Sequence, residues 1–337
     1  MSVKIPKRFQ NKLLPSVLSL IYNNPLDNGN GIVNYLETSP YYFEEYTIHG
    51  ARHITAVLNY ADKLIPQSDY EKMSELDISV LVLGILLHDL GMFIKESGLK
   101  YLLQLETKNV YDNNGINCTW KELWDGFIKK LKHSSGNELD EIFGDKEHIF
   151  DLSSHQVCAT FIRKYHHLIA YHIAIHGFPG KANHKLLNGI SEDCARLIGL
   201  LAKSHGMALR DLNEEVDDFG YDNNLPLNVP IYYLMSILRL ADLLDADESR
   251  APKILSDMNN FSSLRSENEW TLNQLIKGRQ WADDTGKPDT LKMIATPTNS
   301  KQFLELKSWF DYWQKELDLS WAIIGETHND RFKLSIR

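Results

Sequence analysis

Histidines and aspartates recur on the apolar sides of helix-like patterns, where a solvated role is least expected. They are His53 in HITAVLNYADKLI, His88 and Asp89 ending SVLVLGILLHD, His166 and His167 in TFIRKYHHLIAYHI, His205 after LIGLLAKS, and Asp242 and Asp245 in YLMSILRLADLLDADESR. A single histidine on such a face is ordinarily a packed residue, and a single aspartate near a helix end is ordinarily a cap or an ion-pair partner. Five segments that each deliver an imidazole or a carboxylate are harder to explain by packing. Buried polar groups need partners, a buried carboxylate is costly without one, and a divalent metal is a partner that all of them can share.

The elements that must position these groups read as helices. His53–Ile65 places Ile54, Val57, Leu58, Ala61, Leu64 and Ile65 on one face at spacings of three and four. Ile78–Met92, Cys158–Ile175, Glu192–His205 and Ile231–Leu244 behave alike, which predicts an all-α core. Gly91, Gly177 and Gly206 follow helical patterns, as helix-terminating glycines do. Residues 94–151, with YDNNGIN, SSGNE, Trp120 and Trp124, read as an insertion of small helices and loops, a candidate lid and the expected wall of any substrate pocket. Beyond 257 a small α or α+β extension is expected, with a helix in SKQFLELKSWFDYWQKELDLSWAII and a strand in the alternating RFKLSIR. The division is thus 1–257 for the core with its insertion and 258–337 for the extension.

The order His53, then His88-Asp89, then Asp242 resembles the H…HD…D signature of the HD superfamily of metal-dependent phosphohydrolases, and the contexts HITAVLNYA, LGILLHDLG and LRLADLLDA resemble its ligand helices. The resemblance covers roughly Tyr46 to Arg250. It implies a helical bundle in which His53, His88, Asp89 and Asp242 hold one metal. Members with two metals carry further histidines between the HD pair and the last aspartate, and RKYHHLIA and LAKSHG resemble those positions, implicating His166 and His205 with Asp89 bridging. Arg163, three residues before His166, favours His166 over His167, and His172 is a further candidate. Mixed imidazole and carboxylate ligation suits Mn, Fe, Co, Ni or Zn better than Mg alone. Two such ions, about 3.5 to 4 Å apart, would activate a water for hydrolysis of a phosphoester or phosphoanhydride.

Around this set, Asp89 and His49 are candidate catalytic residues, His49 orienting substrate, protonating the leaving oxygen, capping the following helix or replacing His53 as ligand. Arg52, Lys203, Arg239 and Arg250 are candidate phosphate contacts or surface ion-pair residues. Asp245 and Asp247 read as support for the ligands or as caps, and His172 and His176 as packing or support. His133, His148, His155, His184 and His328 lie in polar stretches and read as solvated.

The 337 residues are 43% hydrophobic and 10% aromatic, a globular composition with a formal net charge of −9 and no extended basic block. That disfavours a protein whose main partner is long duplex nucleic acid and favours a small nucleotide or short oligonucleotide. The apolar run before His88 is short for a membrane span and the N-terminus lacks a signal-peptide pattern, so a cytoplasmic location and no membrane partner are expected. Cys118, Cys158 and Cys194 are widely spaced and read as packed thiols. Trp120, Trp124, Trp309, Trp313 and Trp321 read as core or interface anchors, with the oligomeric state open. Two other readings compete with the enzyme. One is a nucleotide- or metal-binding regulatory module, since HD domains resembling this one occur fused to ATPase or signalling domains in prokaryotic defence and regulatory systems. The other is a helical protein with coincidental histidines, which predicts no bound metal.

Overall fold

The computed structural model describes residues 2–23, 31–43, 45–108, 110–111, 117–144, 149–181, 185–212, 216, 228–259, 261, 263–281, 289–328 and 331–337. Three short helices, α1 (Lys7–Gln10), α2 (Pro15–Tyr22) and α3 (Ile32–Leu36), lead into α4 (Ala51–Leu64), α5 (Gln67–Lys72) and α6 (Glu75–Leu87). A 3₁₀ turn at Leu90–Phe93 is followed by α7 (Glu96–Gln104), a small hairpin of β1 (Val110–Tyr111) and β2 (Asn117–Cys118), α8 (Trp120–Lys132) and α9 (Gly136–Phe143). Then come α10 (His155–His176), α11 (Glu192–Ser204), α12 (Ile231–Leu243), α13 (Lys253–Met258) and α14 (Leu264–Leu275). The chain closes with the antiparallel pair β3 (Ile276–Gln280) and β4 (Lys292–Ala295), and α15 (Ser300–His328). The fold is all-α around two peripheral hairpins, as the periodicity predicts.

Helix α6 is the axis of the bundle because it is apolar on every side from Ile78 to Leu87, and all of that stretch is buried. Its start is fixed by a reciprocal cap: Ser74 Oγ accepts from the Asp77 amide at 3.1 Å and Asp77 Oδ2 accepts from the Ser74 amide at 2.7 Å. Glu75–Phe93 has the length and composition of a membrane-crossing segment, but 94% of its apolar window is buried inside the protein, as in a core helix. Helix α11 packs on α6 where Gly84 leaves room for Leu201, and α10 runs along α11. Helix α12 packs on α4 and on α15.

Of the three glycines expected to end helices, only Gly177 has positive φ, at 84°. Gly91 and Gly206 serve close approach instead. A Cβ on Gly91 would sit 2.1 Å from the His166 carbonyl oxygen, and one on Gly206 would sit 2.3 Å from His167 Cγ. Thus Gly91 seats the 3₁₀ turn after the HD pair directly on the backbone of α10.

The insertion packs sideways on α10, with Trp124 and Phe127 edge-on to Phe161 at centroid distances of 4.9 and 5.4 Å. The three cysteines are buried thiols, as expected. The terminal RFKLSIR forms no strand. Its alternation buries Phe332, Leu334 and Ile336 against the helices in extended chain tied by single bonds, Ser335 N–H to Leu64 O at 3.0 Å and Trp321 Nε1–H to Ile336 O at 2.8 Å. These three side chains, with Leu317, Ile323 and Ile324 of α15, join the same buried cluster as Val3, Ile54 and Leu86.

Candidate metal centre

His53 lies in the first turn of α4, His88 caps the C-terminus of α6, Asp89 follows it, His166 is mid-α10, His205 caps α11, and Asp242 is the penultimate residue of α12. The fold brings all six together. In each of the four histidines Nδ1 meets a group that can only accept: His88 the Ile85 carbonyl at 2.7 Å, His166 the Arg163 carbonyl at 2.6 Å, His205 the Ala202 carbonyl at 2.6 Å, and His53 the Asp245 carboxylate at 2.6 Å. The Nδ1 atoms therefore carry the protons, and in the neutral rings every Nε2 presents a lone pair.

Those lone pairs converge. His166 Nε2 lies 2.7 Å from His205 Nε2, and His53 Nε2 lies 3.3 Å from His88 Nε2. Two bare lone pairs at such distances repel unless a proton or a cation lies between them. Asp89 divides itself between the pairs: Oδ2 is 3.2 Å from His53 Nε2 and 3.5 Å from His88 Nε2, while Oδ1 is 3.4 Å from His166 Nε2 and 3.8 Å from His205 Nε2. Asp242 Oδ1 joins the first pair, 3.3 Å from His53 Nε2 and 3.8 Å from His88 Nε2. The groups His53–His88–Asp89 and Asp89–His166–His205 are each compact enough to hold a metal ion. Imidazole nitrogens with carboxylate oxygens are a donor set that fits a divalent transition metal.

Protonation follows from burial and these contacts. Burial and Arg250 pull the His53 imidazolium down, but hydrogen bonds to Asp242, Asp245 and Asp89 outweigh them and raise it to about 10. Burial, aided by His166 and His88, lowers His205 to about 3. Burial would raise Asp89 and Asp242, yet the surrounding histidines hold both below the usual carboxylate range. His49, whose ring is 5.8 Å from that of His53, is pushed well below 6.5 by burial and then by Arg250, so it is neutral near pH 7. With Nδ1 bonded to the Thr47 carbonyl, its Nε2 is an acceptor, which argues against the proton-donating role.

A family model described as HD-CE matches residues 43–319. The chain belongs to the HD-CE family. The HD-CE match runs past Arg250 and takes in both the insertion and most of the C-terminal extension, more than the motif resemblance covered. No curated protein and no solved structure matches the chain.

In this HD-CE domain the candidate ligands Asp89, His166, His205 and Asp242 open on a cleft of 370 Å³, also lined by His49 and Arg250. Its far wall is built by Glu269 and Asn273 of α14 and by Trp309, Tyr312 and Trp313 of α15. No described residue of the insertion lines it, so the wall expected from 94–151 comes from the extension instead. Of the two adjacent histidines, His166 takes the site, while His167 is turned about 100° around the helix, toward Gly206. His172 is buried against Trp120, 6.3 Å between rings, away from the centre.

The structure does not bring Arg52, Lys203 or Arg239 to the cleft. Arg52 is exposed over a neighbouring depression that meets the cleft only at Thr47 and His49, and Lys203 is buried with its ammonium 5.5 Å from the Tyr171 ring. Arg239 is buried, paired with Glu316 at 2.6 Å and bonded to the carbonyls of Ser204 and Met207. Arg250 is the better-placed cation, with a buried Nε that has no hydrogen-bond partner. Asp245 supports His53, and Asp247 pairs with Arg279 at 3.0 Å. His133 and His155 are exposed as expected, His328 packs edge-on to Phe332, and His148 and His184 lie outside the described residues. Asn273 and the aromatic face of α15 lie outside the motifs that mark the other site residues, although the i, i+3, i+4 spacing of Trp309, Tyr312 and Trp313 defines a common helix face in the sequence.

Proposed function

We propose that this HD-CE domain is a metal-dependent phosphohydrolase that cleaves a phosphoester or phosphoanhydride bond in a small nucleotide. The observation that carries the reading is Asp89, whose two carboxylate oxygens face two separate histidine pairs, a disposition suited to two ions. His53, His88, Asp89 and Asp242 would hold one ion, and Asp89, His166 and His205 the other. When bound, such ions lower the pKa of water and neutralise charge on phosphoryl oxygens.

The protein's own groups do the positioning. Asp245 fixes the His53 ring, and the three backbone carbonyls fix the others, so the donor atoms are held before any ion arrives. His49 orients the attacking water by accepting a hydrogen bond at Nε2. Arg250 grips a phosphate oxygen, its guanidinium being the cleft cation with an unsatisfied donor. A cleft of 370 Å³ is at the lower end of the range for small-molecule sites, about 300 to 1,000 Å³, which favours a mononucleotide over a longer chain.

Elemental analysis of tag-free protein, followed by Mn²⁺-supported turnover of a bis-phosphoester and a nucleotide panel, tests the reading. Wild type should carry transition metal and the His88→Ala, Asp89→Ala double variant should lose it together with turnover. Metal-free wild type, or unchanged metal in the variant, refutes the assignment. Bound metal with no turnover across the panel moves the reading to a nucleotide-binding regulatory module.

A further inference from the structure

We propose that the wall contributed by α14 and α15 is a subsite for a heterocyclic base carrying an amino group. The inference rests on the nucleotide reading above and names the part of the substrate that lies away from the metal centre. Trp309, Tyr312 and Trp313 recur at i, i+3 and i+4, so one face of α15 carries all three, and all three line the cleft that holds Asp89, Asp242, His166 and His205. Packing consumes only part of their surface: Trp309 and Trp313 lean on the small cluster of Leu272, Ile276 and Leu306 and keep the rest of their rings at the cleft. Trp309 and Trp313 are half-buried, with ring centroids 6.4 Å apart and planes splayed by 35°, and Tyr312 is 50% exposed. The C-terminal half of helix α15 is anchored apart from this face, through Leu317, Ile323 and Ile324. Base-on-aromatic stacking is the general way such a surface takes a nucleotide.

Asn273 supplies an independent sign of a ligand. It is 5% exposed and lines the same cleft. Its Nδ2–H donates to the Glu269 carbonyl at 2.9 Å, which sets the orientation of the amide, and its Oδ1 is left buried with no donor. A buried acceptor without a donor is costly, and the complement is an N–H on the ligand. The cleft therefore offers carboxylates, imidazoles and Arg250 at one end, and at the other aromatic faces beside the undonated Asn273 Oδ1 and a Glu269 carboxylate already paired with Arg163. An aminated base joined through a sugar to a phosphate matches that polarity from end to end.

The test is calorimetric binding to the Mn²⁺-loaded full chain, with AMP, GMP, CMP, purine riboside 5′-monophosphate and ribose 5-phosphate as probes. At least one amino-bearing nucleotide should bind on the order of tenfold or more tighter than ribose 5-phosphate. Trp313→Ala should bring that ratio toward one, and Trp313→Phe should keep most of it. AMP should bind more tightly than purine riboside 5′-monophosphate, which lacks the amino group, and Asn273→Leu should erase that difference. Equal affinity for base-bearing and base-free phosphates, or ratios untouched by both substitutions, overturns the subsite. Turnover of a bis-phosphoester with flat base ratios overturns the subsite alone. Base-selective binding without turnover of any phosphoester overturns the hydrolase reading alone.

Discussion

In the metal-free protein His53 holds a proton that an incoming cation must displace. Its imidazolium is raised to about 10 by Asp242, Asp245 and Asp89 against burial and Arg250, so at pH 8 it is charged. Because the folded value lies above the unfolded one of about 6.5, its stabilising contribution is complete below that pH and is lost as pH rises through about 10. Asp89 and Asp242 are lowered, so their contribution is present above about 3.8 and lost as pH falls through their folded values. Metal binding at pH 8 should accordingly release close to one proton, read as a buffer-dependent enthalpy in calorimetry, and affinity should rise about tenfold per pH unit. No proton release would remove this account of His53. Asp245→Ala should weaken metal binding roughly 10- to 100-fold by freeing the His53 ring, measurable by chelator competition. The six converging donors were legible in the sequence because each interrupts an apolar helix face. Which of the four candidate cations lines the cleft was not, since what withdraws Arg239 is Glu316, 77 positions away and unreadable from local spacing.

At the scale of elements, the 3₁₀ turn after the HD pair is held by contact rather than by a special backbone angle. Gly91→Ala would drive a Cβ into the His166 carbonyl, and overpacking of this kind costs about 1 to 3 kcal/mol. The variant should melt earlier and should lose metal at the His166–His205 pair before the His53–His88 pair, as two-step metal titration would reveal. Equal loss at both pairs would mean that the turn does not position α10. A glycine after a helical run is a sound sequence signal for a break, yet the sequence does not say whether the missing Cβ serves a turn or a neighbour. The closing RFKLSIR raises the same difficulty. Alternating burial needs only an extended chain lying on a helical surface, and pairing with another strand is a separate requirement that the pattern cannot report.

Across the whole molecule, one large buried cluster runs from Val3 to Ile336 beside a small one of Leu272, Ile276 and Leu306, so the last residues are as much a part of the core as the central helix. Phe332→Ala should cost about 3 to 5 kcal/mol, and far-UV circular dichroism and tryptophan fluorescence should report one coincident urea transition. Separate transitions would show that the C-terminal region unfolds on its own. The helices of this core were readable from their periods of three and four, whereas the roles of the two excursions were not. Which of 94–151 and 258–337 walls the cleft depends on the tertiary path of the chain, and the C-terminal helices take that place. The way α6, α11 and α12 all end at the centre has a kinetic consequence. Each brings the negative pole of its dipole, equivalent to roughly half a charge, to a pocket that already holds two carboxylates. Under the proposed function this negative field should favour one order of occupancy, cation first and phosphate second. Inorganic phosphate should bind detectably only after metal has been added, and chelation should expel both.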